Sequence, residues 1–189
     1  MSLVVPEELQ NLESNCGVFA VWMVLQHCEI DIAFDQLLEI LGYEIEVGTF
    51  GIGLAVGLKR LGFDVAFHTD EDLDQHENEP ALYQAAQSLN IQVQPALSYA
   101  ELVNEVQQGA WVIVYYDTLD GVGNHSLIYD IDEFEVQFFD SFEAMPADIF
   151  EQQRAEEGIC RQAIVIRPHA HFEVESVIYS LTNACKILK

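Results

Sequence analysis

The chain has 189 residues, 50% of them apolar and 11% aromatic, which excludes a disordered chain and suits one domain with a real core. It carries 32 acidic residues against 7 basic ones, a formal charge of -25, so nucleic acid and anionic membranes are excluded as partners. No apolar run nears the roughly 20 residues that span a bilayer, and MSLVVPEELQ has no signal-peptide pattern, so the reading is a soluble cytoplasmic protein.

Four cysteines, Cys16, Cys28, Cys160 and Cys185, show no CxxC spacing, so neither a disulfide framework nor a metal site is expected. The first half reads as helical. Residues 16–28 are apolar on every side, which marks a buried helix, with Asn15 or Ser14 as its cap. AFDQLLEILG repeats apolar residues at helical spacing and stops at Gly42, and GIGLAVGLKRLG repeats the pattern up to Gly62. FDVAFH is a short strand. TDEDLDQHENEP, residues 69–80, reads as a solvated acidic loop.

PALYQAAQSL follows as a helix with Pro80 in its first turn. SYAELVNEVQQG carries a capping box, Ser98 with Glu101. The pattern then changes to strands. WVIVYY, HSLIYDI, EVQFFDS and RQAIVIRP are read as strands, with ADIFEQQRAEE a helix between the last two. The expected class is α+β: a helical half with a buried helix, packed on a C-terminal antiparallel sheet across a cleft. One domain spans 1–189, its core at about 5–167, with 168–189 a C-terminal extension that has no clear pattern.

Cys16 stands where the helix begins. There the positive end of the helix dipole lowers a thiol pKa, and an adjacent imidazolium would lower it further. Gly17 beside it leaves space for a substrate backbone. His125 heads a strand just after a glycine-bearing loop, where an imidazole can face a cleft. His27 is on the Cys16 helix but roughly 16 Å along it, too far to reach. His68 and His76 border the acidic loop, and His169 with His171 form an H-x-H pair, a weak metal pattern. An even turn centred on Asp132 and Glu133 sets Asp140 opposite His125 on the same face; an odd loop would break that pairing. Gln10, six residues before Cys16, offers a side-chain amide to an oxyanion, with the Cys16 N–H as the other donor.

Gln10, NCGVFAVWMVL, NHSLIYDI and VQFFDSF, in that order, resemble the papain-like cysteine peptidases, most closely their bacterial bacteriocin-leader, or double-glycine, branch. The resemblance covers roughly residues 5–167. It implies the papain-like fold, Cys16 as nucleophile, His125 as general base then acid, Asp140 as its orienter and Gln10 as oxyanion donor, with Gly17 and Asn124 at substrate. It implies no cofactor and a peptide or protein substrate with small residues such as glycine before the scissile bond. Ser126 and Ser141 depart from the family's usual aromatic residue and proline. The same thioester chemistry serves a deamidase or a transpeptidase or transglutaminase-like enzyme, and a catalytically silent peptide-binding relative would keep the fold alone. The acidic exterior serves solubility, and would also draw a basic peptide.

Overall fold

The computed structural model describes residues 4–118, 121–141 and 143–167; the expectations for the 168–189 extension, the His169–His171 pair and Cys185 lie outside the described residues. In chain order the elements are α1 (Glu7–Gln10), α2 (Cys16–His27), α3 (Phe34–Leu41), α4 (Gly51–Arg60), β1 (Asp64–Thr69), α5 (Glu79–Ser88) and β2 (Gln92–Pro95). They continue with α6 (Tyr99–Gln107), β3 (Trp111–Asp117), β4 (Gly123–Ile131), β5 (Glu135–Phe138), β6 (Met145–Pro146), α7 (Ala147–Arg154) and β7 (Ala163–Arg167). Among the described residues no helix is long and apolar enough to cross a membrane.

The α2 sequence, CGVFAVWMVLQH, has apolar residues on all sides, and the helix is accordingly buried almost throughout. Val18, Val21, Val24 and Leu25 are each wholly inaccessible. Full burial of such a side chain contributes about 1.5–3 kcal/mol, which locks this helix to its neighbours. Helix α3 ends at Gly42 in the left-handed conformation (φ 65°), as its position after the last apolar residue predicts. Helix α6 has the anticipated reciprocal cap: the Ser98 hydroxyl accepts from the Glu101 N–H, and the Glu101 carboxylate accepts from the Ser98 N–H.

The strands form one sheet of order β2-β1-β7-β3-β4-β5-β6. The C-terminal strands pair antiparallel, as read from the sequence, and β1 with its parallel neighbour β2 extends them into a mixed sheet. Parallel neighbours need a long crossover, and α5 supplies it. Strand β2 escapes a reading by apolar content because every residue in it is exposed and it ends at Pro95, both marks of an edge strand.

Alternation along the strands divides the core in two. Ile113, Leu127, Ile164 and Ile166 face α2 and α4, whereas Val112, Val114, Tyr116, Ile128 and Phe138 face α6 and α7. The two layers inferred from the sequence are therefore three, with helices on both faces of the sheet. The second face carries Arg154, fully buried at the end of α7. Its guanidinium donates to the Glu151 carboxylate at 2.7 Å and to the carbonyls of Leu97 and Arg161 at 3.0 and 3.2 Å.

Candidate active site

Cys16 opens α2, as its position after a polar cluster predicts. Asn15 holds the cap position but makes no side-chain cap; its amide donates instead to the Leu9 carbonyl at 2.8 Å. Asn15 therefore supplies no cap to the first N–H groups of α2. Burial is the largest influence on the thiol and pushes its pKa above the ordinary 9.0. The backbone N–H groups of His125, Gly17 and Cys16 itself favour the thiolate, while the Asp140 charge opposes it. The balance leaves a protonated thiol, which corrects the depressed pKa expected from the helix dipole.

Sheet geometry explains how His125 meets the sulfur. His125 lies directly opposite Tyr115, whose N–H donates to the Gln162 carbonyl on the far side at 3.0 Å. That makes Tyr115 and His125 a pair without mutual hydrogen bonds, so each turns its N–H outward. The His125 N–H points toward the β5 side, and β5 has already ended at Phe138. The sulfur of Cys16 occupies that side.

The His125 ring stacks on Tyr115, with centroids 4.4 Å apart. It is 5% exposed, and its Nε2 is buried without a hydrogen-bond partner. Burial pulls its pKa from 6.5 down to about 4, so the imidazole is neutral at pH 7. The unfolded chain binds this proton below pH 6.5 and the folded chain refuses it until about pH 4, so stability from this group is full above 6.5 and lost on acidification. Between pH 7 and pH 4 the wild type should lose about 3 kcal/mol relative to His125→Gln, measured by denaturant unfolding of both. An unchanged difference at the two pH values would contradict the buried neutral imidazole.

Asp140 is not opposite His125. The β4–β5 turn is held by the Asp132 carboxylate, which accepts from the N–H groups of Phe134 and Glu135 at 2.7 and 3.0 Å. The loop enclosed by the pair Ile131 and Val136 is even, so it is the β-bulge beyond it, between Ile128 and Asp130, that breaks the expected pairing. Ile131 faces Val136, the register shifts between Ile128 and Asp130, and Ile128 then faces Phe138. The Phe139 N–H donates to the Leu127 carbonyl, which brings Asp140 beside Ser126. The Ser126 hydroxyl donates to the Asp140 carboxylate at 2.7 Å. No hydrogen bond joins the His125 ring to Asp140 or to the sulfur.

Asn124, placed at substrate in the sequence reading, belongs to the Asp140 network. Its amide donates to the Tyr116 hydroxyl at 3.1 Å and to Ser126 Oγ at 2.9 Å. The serine that departs from the family pattern is therefore the residue that holds the aspartate. Ser126→Ala should cost about 1–3 kcal/mol of folding stability, because a charge-assisted bond is lost inside a buried network. Chemical denaturation checks this; a loss below about 0.5 kcal/mol would show the network to be dispensable.

Two further expectations are corrected. The Gln10 side chain is exposed and donates to the Val5 carbonyl at 2.8 Å, so its amide is committed away from an oxyanion. At Gly17 the space of the missing side chain is filled by protein and not by substrate: a Cβ there would collide with Thr49 Oγ1 and crowd Leu54. The glycine is required for packing between α2 and the segment before α4. Cys28 and Cys160 are free thiols with raised pKa values, Cys160 to about 11 through burial and neighbouring carboxylates.

A cleft of about 210 Å³ opens on the His125 side, lined by Thr49, Tyr115, His125, Asp72, Asp74 and Glu79 among others. The last three come from the acidic stretch that reads as solvated loop. Glu79 is instead 6% exposed and accepts from the His76 N–H at 2.8 Å. A run of charges gives no hint of which of them folds inward; only the N–H acceptor geometry at the start of α5 does.

No protein-family model matches this chain, and no curated protein matches it. The likeness to papain-like peptidases rests on its own residues alone.

Proposed function

We propose that the protein is a cysteine peptidase of papain-like type, with Cys16 as nucleophile and His125 as general base. The observation that carries this reading is that Cys16 opens the helix α2, which packs on β4, the strand that carries the buried His125 with its unpartnered Nε2. The first N–H groups of a helix lack intrahelical partners, so the head of α2 offers donors to an oxyanion formed next to the sulfur. The order of elements supports the fold assignment: the nucleophile helix comes first and packs on the strand that carries the histidine.

The chemistry starts from a neutral thiol and a neutral imidazole, not from a preformed ion pair. The imidazole takes the thiol proton as the sulfur attacks the peptide carbonyl carbon. The backbone N–H groups of Cys16 and Gly17 stabilise the resulting oxyanion. The imidazolium returns its proton to the leaving amine, the C–N bond breaks, and a Cys16 thioester remains. Water, deprotonated by His125, then releases the carboxylic acid and restores the thiol. Asp140 acts through its charge and through Ser126; it is a positioning residue in this scheme.

A peptide library assayed with wild type and His125→Ala tests the reading. Cleavage should fall at least roughly 10²-fold in the variant, as loss of a general base requires. A second reading, a peptide-binding relative without turnover, is favoured by one observation, that the Asp140 carboxylate is engaged by Ser126 and not by His125. Binding of library peptides with no cleavage by wild type would establish it.

A further inference from the structure

The cleft beside His125 has a chemistry that hydrolysis leaves unused. Asp72, Asp74 and Glu79 place three carboxylates on its wall, and no lysine or arginine lines it. Burial and then the nearby Asp72 charge push the Glu79 carboxyl above its ordinary pKa, while the His76 backbone N–H and ring pull it back. Negative charge is gathered there without a full counter-ion. His125 shares the wall, 5% exposed, with its Nε2 buried and unpartnered. An unpaired buried nitrogen is unfavourable, and an occupant that donates an N–H to it satisfies it.

The occupant can be narrowed. Among the described residues no group of three or more His, Cys, Asp and Glu side chains is arranged to hold a metal ion. An organic cation with several N–H donors answers both the carboxylates and the orphan nitrogen. The cleft also adjoins the nucleophile. Tyr115 in its wall stacks on His125, and Thr49 Oγ1 lies against Gly17, the residue after Cys16.

We propose that this cleft docks a primary alkylammonium group and that the bound amine takes the acyl group from Cys16. The inference rests on the Cys16 acyl-enzyme of the proposed function and names its second substrate. The docked ammonium loses a proton to solvent, relayed by the neutral His125 imidazole, and the freed lone pair adds to the thioester carbonyl. The C–S bond then breaks and an amide forms. Of the two protons the nitrogen loses, one reprotonates the Cys16 sulfur and the other leaves to solvent through the imidazole. No oxidant or reductant is needed. A lysine side chain and a free diamine share this chemistry, whereas a guanidinium docks without reacting.

The experiment uses the full chain, the peptide that wild type cleaves best, and three additives: monodansylcadaverine, a neutral-capped lysine peptide and its arginine twin. Mass spectrometry follows the Cys16 acyl adduct, the hydrolysed acid and the amide. The amide product should exceed the acid at least tenfold with one or both amines, and the arginine peptide should only inhibit. Product with cadaverine alone assigns a free diamine, and product with the lysine peptide alone assigns a protein lysine. The double variant Asp72→Asn with Asp74→Asn should lose at least tenfold in transfer while it hydrolyses the same donor at the wild-type rate. Hydrolysis of the acyl adduct undiverted by saturating amine would overturn the proposal and leave the peptidase reading intact. Failure to form the Cys16 adduct at all would overturn both.

Discussion

Replacement of Cys16 by alanine should abolish peptide cleavage, by roughly 10³-fold or more, while stability moves by no more than about 1 kcal/mol. The structure separates the two effects. The side chain is only partly buried and begins a helix whose stability comes from Val18, Val21, Val24 and Leu25 further along. Alanine is tolerated at that position and removes one atom, the sulfur that attacks. No other described thiol substitutes for it: Cys28 stands at the opposite end of α2, and Cys160 has its pKa pushed up to about 11. Thermal unfolding and peptide cleavage measured on the same preparation check both halves. A variant that unfolded with its activity would show Cys16 to be a packing residue.

The largest effect on stability should come from Arg154→Ala, a loss of about 3–5 kcal/mol. Arg154 is fully buried, and its guanidinium lies 5.4 Å from the Phe150 ring centroid while it bonds Glu151 and two main-chain carbonyls. Truncation leaves a cavity and strands the carbonyls of Leu97 and Arg161 without their donor. At about 2–4 °C per kcal/mol for a chain of this size, the melting temperature should fall by roughly 6–20 °C. Arg154→Met fills most of the volume and should lose clearly less, since a buried charge is weak in net stabilisation when a well-packed apolar side chain replaces it. Calorimetry on the pair checks the order. Equal losses would place the whole effect in the hydrogen bonds, not the cavity.

The sequence carries the helical half legibly because each helix there has a local reason to exist. The unbroken apolar run of α2, the Gly42 stop of α3 and the Ser98–Glu101 cap of α6 are all short-range signals. Strand β3 is legible for the same reason, since WVIVYY is a continuous apolar run. What fails is information that depends on partners. Strand β2 has no apolar run of its own and exists because β1 offers it an edge. The place of Asp140 depends on a β-bulge between Ile128 and Asp130, which shifts the register by one and has no signature in the local sequence. Gln10 and Cys16 have the spacing of a catalytic pair, yet Gln10 turns back on Val5. Arg154 reads as an ordinary cation at a helix end, and only the second core beneath α7 buries it.

The site shows the same division. Cys16 and His125 are legible because a helix start and a strand start are sequence features, and the structure brings the His125 backbone to the sulfur. The carboxylates of the cleft are not, because the acidic run from 69 to 80 has no periodicity to say that Glu79 turns inward while Asp74 stays exposed.

Everything proposed for this protein requires that a carbonyl carbon become bonded to one particular sulfur. Acid-quenched wild type mixed with a cleavable peptide, followed by intact-mass and peptide-mapping analysis, reads that bond directly. The account predicts a single acyl adduct on Cys16, lost in Cys16→Ala and much slower to form in His125→Ala. An adduct spread over Cys28 and Cys160 as well, or cleavage that proceeds with no adduct on Cys16 under conditions that trap a thioester, would contradict it.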